Sequence, residues 1–212
     1  MNTYVKYPRT PHLPFSPGAC EDDVWVDTTA IFSNQRVLIT EKMDGENTTL
    51  YSDHMHARSL DSRHHPSRSW VKGLHHRIAH HIPARWRICG ENLFARHSIG
   101  YDTLPSYFMV FSIWTDEGAC LAWDETVEWC EMLELEHVPV LFDGPWDEAL
   151  VRAMADEVDT SAQEGFVVRL ADGFAFKAFK QSVAKWVRKD HVTTDTHWMH
   201  REVVPNGVVE PS

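Results

Sequence analysis

The chain has 212 residues, a formal net charge of −11 and a hydrophobic content of 43%. This length allows one substantial domain with its own core, or one domain and a small appendage. The acidic balance argues against a protein that coats nucleic acid nonspecifically. The N-terminus lacks the apolar core of a signal peptide, and no apolar run is long enough to span a membrane.

The first half of the chain predicts three elements. Residues 8–18 hold four prolines and one glycine, so we expect an extended leader that wraps the domain. Residues 37–51 predict two strands joined near Asp44 and Gly45, and residues 69–82 predict a short amphipathic helix.

The second half predicts, in chain order, core strands at 86–89 and 107–114, helices at 124–136 and 147–158, and a hairpin of strands at 165–170 and 174–179. Asp124 is the expected N-cap of the first of these helices. Residues 183–190 predict a final helix or turn. Strands and helices without regular alternation indicate an α+β fold built on antiparallel sheet.

We expect a single domain over residues 1–203 and a flexible tail over 204–212, because the tail has two prolines and no periodicity. The four cysteines, at positions 20, 89, 120 and 130, form no CxxC pair. We interpret them as reduced thiols of a cytoplasmic protein, with Cys89 and Cys130 in the core.

The candidate chemistry is concentrated at Lys42, which directly follows the apolar run 37–39 and precedes the Asp44-Gly45 turn. A lysine amine is a nucleophile only when uncharged, so we expect burial or nearby cations to depress its pKa. A glycine at position 45 is expected to let the backbone approach a ligand closely. The alternative is a surface strand that ends in a turn.

Later segments contribute, in a fixed order, an arginine, a Gly-Glu-Asn sequence, an aromatic run, a Glu-Gly-Phe-Val sequence and a pair of lysines. These segments are Arg58-Ser59, residues 88–95, residues 107–114, residues 164–169 and residues 176–180. Together with Lys42, the ordered set resembles the covalent nucleotidyltransferase superfamily of polynucleotide ligases and RNA capping enzymes. Within it, the chain is most similar to the RNA ligase 2-like family of ATP-dependent RNA ligases. The resemblance extends from about Val37 to about Arg188.

The resemblance implies two packed, mainly antiparallel sheets flanked by helices, with an ATP-grasp-like arrangement and the nucleotide between the sheets. Larger family members add a C-terminal domain. About two dozen residues follow Lys189, which we expect to be too few for an OB-fold.

The implied reaction begins with Lys42 attacking ATP to form a covalent lysyl-AMP. AMP then passes to an RNA 5′-phosphate, and a 3′-hydroxyl displaces it to seal the strand. By resemblance, Lys177 and Lys180 contact the α-phosphate. Lys177 is the firmer assignment, because the family motif is usually Lys-x-Lys. Glu164 and Glu91 are candidates to orient the waters of Mg²⁺ or Mn²⁺.

Nucleotide recognition is also implied by position. Glu41, just before the nucleophile, corresponds to the residue that contacts the adenine amine, and Phe111 to the aromatic that stacks on the purine. Arg58 and Glu91 correspond to nucleotide-binding positions, with Glu91 at the ribose hydroxyls. Asn47 corresponds to a polar position that binds the RNA end or a phosphate. A plain core phenylalanine and a turn amide are the alternatives for Phe111 and Asn47.

Charge and histidine are distributed unevenly. Residues 58–87 hold seven Lys/Arg against one acid, and residues 116–164 hold fifteen Asp/Glu against one base. A second basic stretch contains Lys177, Lys180, Lys185, Arg188 and Lys189. The two basic stretches are expected to form a cationic floor for phosphates if they fold together. Eight histidines lie in residues 54–81. A surface that touches RNA phosphates and a zinc site are both compatible with them, and we favour the surface.

Three other functions remain open at the sequence level. A GTP-dependent capping guanylyltransferase and a DNA ligase share the lysine motif. A nucleotide- or RNA-end-binding subunit without turnover is the third. Whether a partner protein supplies an end-binding surface is also left open by the sequence.

Overall fold

The structure is a computed structural model that describes residues 4–19, 23–62, 64–189 and 203–209. Its strands are β1 (Arg36–Glu41), β2 (Glu46–Leu50), β3 (Met55–Ala57), β4 (Arg87–Asn92), β5 (Phe108–Trp114), β6 (Ala119–Cys120), β7 (Glu136–His137), β8 (Val140–Pro145), β9 (Gly165–Leu170), β10 (Phe174–Ala175) and β11 (Val183–Val187). Its α-helices are α1 (Ser69–Ile78), α2 (Trp123–Met132), α3 (Glu148–Glu157) and α4 (Phe179–Ser182).

The strands form two sheets. The first has the order β11-β9-β1-β8 and is antiparallel throughout. The second has the order β10-β6-β5-β4-β2-β3, and β7 adds to β5 in parallel. The α+β fold of two mainly antiparallel sheets is therefore confirmed.

Strand β1 is buried on both faces, which explains its continuous apolar sequence. Val37 and Ile39 belong to a cluster with Val151 of α3. Leu38, which points the other way because side chains alternate along a strand, packs in a cluster with Met109 of the second sheet. This alternation places β1 between a helix and the opposite sheet.

Helices α1 and α2 pack against the second sheet. Helix α1, followed by a 3-10 turn to His81, confirms the predicted helix, and its buried Val71 and Leu74 share a core cluster with Ile88 of β4. The predicted N-cap of α2 is wrong. Asp124 pairs with Arg36 at 2.8 Å instead, and the position before the helix is Ala122.

The predicted hairpin of residues 165–170 and 174–179 is wrong. Strand β9 pairs with β1 and β11, whereas the short β10 pairs with β6 in the other sheet. Residues 176–178 form a 3-10 helix that leads into α4. The predicted final helix at 183–190 is wrong as well, because residues 183–187 are strand β11.

Both ends of the described chain pack on the domain. The leader runs along β11, where the Lys185 N–H donates to Pro11 O at 2.8 Å. Residues 204–209, the described part of the tail predicted to be flexible, lie beside the loop after β4, and the buried Asn206 donates to Leu93 O at 2.8 Å. Residues 210–212 and Cys20 lie outside the described residues.

Cys89 and Cys130 are buried free thiols, as predicted. Within the described part of the chain, no helix has the length and apolar character needed to cross a membrane.

Candidate active site

Lys42 and Glu164 meet because β1 and β9 are antiparallel neighbours. Glu41, the last residue of β1, pairs with Phe166 of β9, and the Lys42 N–H donates to Gly165 O at 2.9 Å. Glu164 directly precedes Gly165, and its Oε2 lies 2.5 Å from the Lys42 ammonium. The two residues are 122 positions apart in the sequence, so strand pairing alone creates this ion pair.

Gly165 is required where β9 and β11 approach each other. Its φ is +153°, a region that side chains disfavour, and an added Cβ would lie 2.1 Å from Trp186 O. The glycine of the Glu-Gly-Phe-Val sequence therefore keeps Glu164 at the start of β9 and opposite Lys42.

The pKa of Lys42 does not follow the sequence prediction. Burial lowers it, but Glu164, Glu91 and Asp44 together outweigh burial and raise the pKa above its ordinary value. The side chain is only 24% exposed. Lys42 is therefore a partly buried cation held by carboxylates and is not a free amine.

Glu91 is the second carboxylate beside Lys42. Its pKa is raised to about 8, chiefly by burial; the charge of Lys42 opposes the shift, and the charges of Glu164 and Asp44 add to it. The Gly45 N–H hydrogen-bonds to this carboxylate. An added Cβ at Gly45 would lie 2.5 Å from Asn92 O. Gly45 thus lets the chain's own β4 approach, whereas the sequence predicted close approach of a ligand.

Asp44 fixes the loop that carries Lys42. Its carboxylate accepts hydrogen bonds from the N–H and hydroxyl of Ser98, at 2.8 and 2.7 Å, and from the Ile99 N–H at 2.7 Å. Its own N–H donates to the Tyr101 hydroxyl at 2.9 Å. Asp44 is therefore committed to backbone positioning, a role that the motif alone did not reveal.

A cavity of about 220 Å³ opens in front of Lys42, between the two sheets. The predicted residues that line it are Glu41, Lys42, Asn47, Arg58, Glu91 and Phe111. Burial raises the pKa of Glu41, and Gln163 hydrogen-bonds to its carboxylate. Arg169 donates to Phe111 O at 3.2 Å, which links the strand that carries the aromatic ring to β9.

Two polar atoms at this cavity have no hydrogen-bond partner among the described residues. They are the buried Nε of Arg58 and the buried Oδ1 of Asn47. Buried polar atoms are nearly always hydrogen-bonded, so an unmatched donor and an unmatched acceptor on one cavity indicate a polar ligand.

The predicted lysine pair does not reach this cavity. Lys177 lies in the 3-10 helix and Lys180 in α4, and both are exposed. Lys185 of β11 lines the cavity instead, two residues after Val183 on the same face of the strand. Burial and, next, the charge of Lys42 lower the pKa of Lys185. This placement differs from the expected one because residues 176–182 are helical and β11 begins only at Val183. The contact of Lys177 and Lys180 with the α-phosphate stays a prediction.

Sequence reasoning also missed Tyr7 and Arg9 of the leader, which line the same cavity. The prolines correctly indicated a wrapping segment, but no periodicity showed where it would cross the domain. Lys185 could have been found from the short apolar run around it, which is typical of a buried strand.

Glu164 and Glu91 are the predicted metal-binding carboxylates. Among the residues that the structure describes, no group of three or more His, Cys, Asp or Glu side chains could hold a metal ion. Glu91 and Glu164 are near each other, since the charge of one raises the pKa of the other. Two carboxylates suit Mg²⁺, which keeps several waters and commonly shares phosphate oxygens.

A lysine with two nearby carboxylates, Glu164 and Glu91, therefore lies beside a cavity between two packed sheets. A family model described as RNA ligase matches residues 35–187. The match covers most of the chain, and the chain belongs to the RNA ligase family.

Solved RNA ligases share this fold at low sequence identity. An archaeal ATP-dependent RNA ligase has a TM-score of 0.58 at 18% identity, over 85% of this chain and 48% of that chain. The Naegleria gruberi RNA ligase with PPi has a TM-score of 0.55 at 21% identity, over 74% and 51%. A mutant of the same enzyme with AMP and Mn has a TM-score of 0.54 at 17% identity, over 76% and 52%.

The chain spans about half the length of these solved relatives. No curated protein matches it.

Proposed function

We propose that the protein is an ATP-dependent RNA ligase and that Lys42 is its nucleophile. The observation that supports this most directly is the partly buried ion pair of Lys42 and Glu164 beside a cavity with unmatched polar atoms on Arg58 and Asn47. Membership of the RNA ligase family agrees with it.

In the first step, Lys42 Nζ forms a bond to the α-phosphorus of ATP, and the bond from that phosphorus to the pyrophosphate oxygen breaks. As an ammonium, Lys42 loses one proton before its nitrogen attacks and a second as the neutral phosphoramidate forms. Glu164 Oε2, at 2.5 Å, is positioned to accept the first proton, and the second passes to solvent or to the departing pyrophosphate. Lys185 and Arg58 neutralise charge on the phosphates, since both are cations of the cavity.

Base recognition is assigned to the other end of the cavity. Glu41 accepts a hydrogen bond from the exocyclic amine of adenine, where guanine would present an acceptor. Phe111 supplies an aromatic face for the purine. Both side chains line the cavity, and each is fixed by a neighbour, Gln163 for Glu41 and Tyr7 for Phe111.

Glu91 and Glu164 would hold a divalent metal ion together with the phosphates of ATP. Such an ion, Mg²⁺ or Mn²⁺, would supply positive charge to the phosphate oxygens when bound. The Mn and AMP of one Naegleria gruberi structure belong to that enzyme, and their transfer to this chain is part of the proposal.

The remaining steps concern RNA. AMP passes from Lys42 to a 5′-phosphate of an RNA strand, and a 3′-hydroxyl then attacks that phosphate and releases AMP. We further propose that a partner protein presents the RNA ends. The described cysteines at 89, 120 and 130 are free thiols, as in reducing compartments, and we therefore place this activity in the cytoplasm.

The test is covalent labelling. The protein is incubated with Mg²⁺ and α-labelled ATP or GTP, denatured and separated on a gel. We expect label from ATP in the wild type and none in Lys42→Ala. Label from GTP alone would indicate a capping enzyme, and no label from either nucleotide would contradict the proposal. Adding 5′-phosphorylated RNA or DNA to the labelled protein then identifies the strand that accepts AMP.

A further inference from the structure

Residues 4–19, which we name the N-terminal strap, are anchored to the domain on both sides of the cavity. On the N-terminal side of the residues that line the cavity, the Val5 N–H donates to the Tyr51 hydroxyl at 2.9 Å. After it, Leu13 N–H donates to Lys185 O at 2.8 Å and Gly18 N–H donates to Val187 O at 2.9 Å. The strap is therefore held across the cavity, with residues 7–10 between the two anchors.

Those four residues form one wall of the cavity. Tyr7 is fixed there. Its ring meets Phe111 edge-on at 5.1 Å and Phe179 at 5.4 Å, and it hydrogen-bonds to Ser112. Because Tyr7 is immobilised by packing, Arg9 is presented to the same cavity from a defined position two residues later.

Arg9 is one of the arginines that line this cavity. Arg58 also lines the cavity. Its pKa is lowered by burial first and then by the charge of Arg9, while Asp23 opposes the shift, so the two guanidinium groups are close. A guanidinium binds phosphate through two parallel N–H groups, so two of them lining one cavity suit a ligand that carries several phosphates.

The cavity therefore carries more positive groups than an α-phosphate alone requires. Lys42 and Lys185 are next to each other, since the charge of one lowers the pKa of the other. Arg58 and Arg9 form a second pair of cations. A triphosphate that places its α-phosphate at Lys42 has two more phosphates to accommodate.

We propose that Arg9, which the N-terminal strap places at the cavity, binds the β- and γ-phosphates of ATP and orients pyrophosphate as the leaving group. This inference rests on the proposed function, because it requires ATP in the cavity. It adds that the strap is part of the nucleotide site.

The test compares ATP with AMP in a protein that cannot react. In a Lys42→Ala background, the affinities for Mg-ATP and for AMP are measured by isothermal titration calorimetry, with and without Arg9→Ala. We expect Arg9→Ala to weaken ATP binding about 10- to 100-fold, the effect typical of one charge-assisted hydrogen bond. AMP binding should not change, and Arg9→Lys should restore part of the ATP affinity.

Lys6→Ala is the matched control, because Lys6 is an exposed cation of the same strap and does not line the cavity. It should leave ATP affinity unchanged. An equal loss in Lys6→Ala, an equal loss for AMP, or no loss in Arg9→Ala would each overturn the inference. The wild-type labelling experiment is scored separately, so absence of lysyl-AMP would count against the proposed function while this binding comparison still reports on Arg9.

Discussion

At the scale of single residues, the resting state of Lys42 is the main result. A nucleophilic lysine suggested a depressed pKa, yet three nearby carboxylates overcome the effect of burial and raise it. In the proposed reaction, the amine must therefore lose its proton after the nucleotide binds, since the folded chain holds it as a cation. This explains why a carboxylate, Glu164, lies in direct contact with Nζ.

Glu91 provides a pH-dependent prediction at this scale. Its pKa in the folded chain is about 8, compared with an ordinary value of 4.5. Between these values the folded state binds more protons than the unfolded state, so the stability contributed by this group falls as the pH rises. The glutamine of Glu91→Gln does not titrate, so its contribution to stability does not fall as the pH rises. Its side-chain oxygen still accepts a hydrogen bond from the Gly45 N–H.

We expect the thermal midpoint of Glu91→Gln, relative to wild type, to increase between pH 5 and pH 9 by about 2–4 °C, the shift that 1 kcal/mol produces in a protein of this size. Thermal unfolding followed by circular dichroism measures it. Glu131→Gln, at an exposed position of α2, should show no such trend. A difference that is constant across this pH range would contradict the assignment.

At the scale of elements, the secondary structure that follows β9 decides which lysine lines the cavity. The short β10 joins the second sheet, a helical turn follows, and β11 returns to the first sheet beside β9. Within β11, Val183 and Lys185 line the cavity, while Ala184 and Trp186 pack in the core cluster with Phe166. Strand alternation thus places one lysine at the site and turns its neighbours inward.

This arrangement predicts different effects for lysines that lie close in sequence. Lys185→Ala should reduce the rate of Lys42 adenylylation about 10- to 100-fold, because it removes one cation from the phosphate site. Lys177→Ala and Lys180→Ala should retain the wild-type rate, since both side chains are exposed outside the cavity. Single-turnover labelling with α-labelled ATP measures all three. Loss of activity in Lys177→Ala, with Lys185→Ala unaffected, would restore the original sequence assignment.

At the scale of the whole molecule, two segments far apart in the chain brace the site. The N-terminal strap pairs with β11, and residues 203–209 pack beside the loop that holds Asp44. Asn206 accepts from the Tyr101 N–H at 3.0 Å, and the Tyr101 hydroxyl in turn binds the Asp44 N–H at 2.9 Å. A segment near the end of the described chain therefore supports the lysine loop through one intermediate residue.

Asn206→Ala should lower the free energy of unfolding by about 1–3 kcal/mol, because it leaves Leu93 O and the Tyr101 N–H without these partners. Denaturant unfolding measures the change. Val209→Ala is the control in the same segment, since Val209 is 57% exposed and should alter stability by less than about 0.5 kcal/mol. Equal effects of the two substitutions would argue against a bracing role for Asn206.

Local patterns were sufficient for much of the fold. Helix α1 and strands β1, β4 and β5 agree with the predictions because their periodicity and their burial coincide. The hairpin and the final helix were predicted wrongly, because the Asp172-Gly173 turn connects strands of different sheets and β11 is too short to show a period. Similarly, Pro205 and the lack of periodicity suggested a free tail, and only the hydrogen bonds of Asn206 show that the segment is held.

The sequence by itself determined the chemistry that is available: a lysine after a buried strand, two glutamates, an arginine and an aromatic, in an order that defines the family. Tertiary structure decided the direction of the Lys42 pKa shift and which basic side chains line the cavity, with Lys185 and Arg9 among them and Lys177 outside it. The physical reason is that charge interactions and cavity walls depend on distances between strands far apart in the chain. Such distances are set by strand pairing and packing and are not encoded in any local pattern.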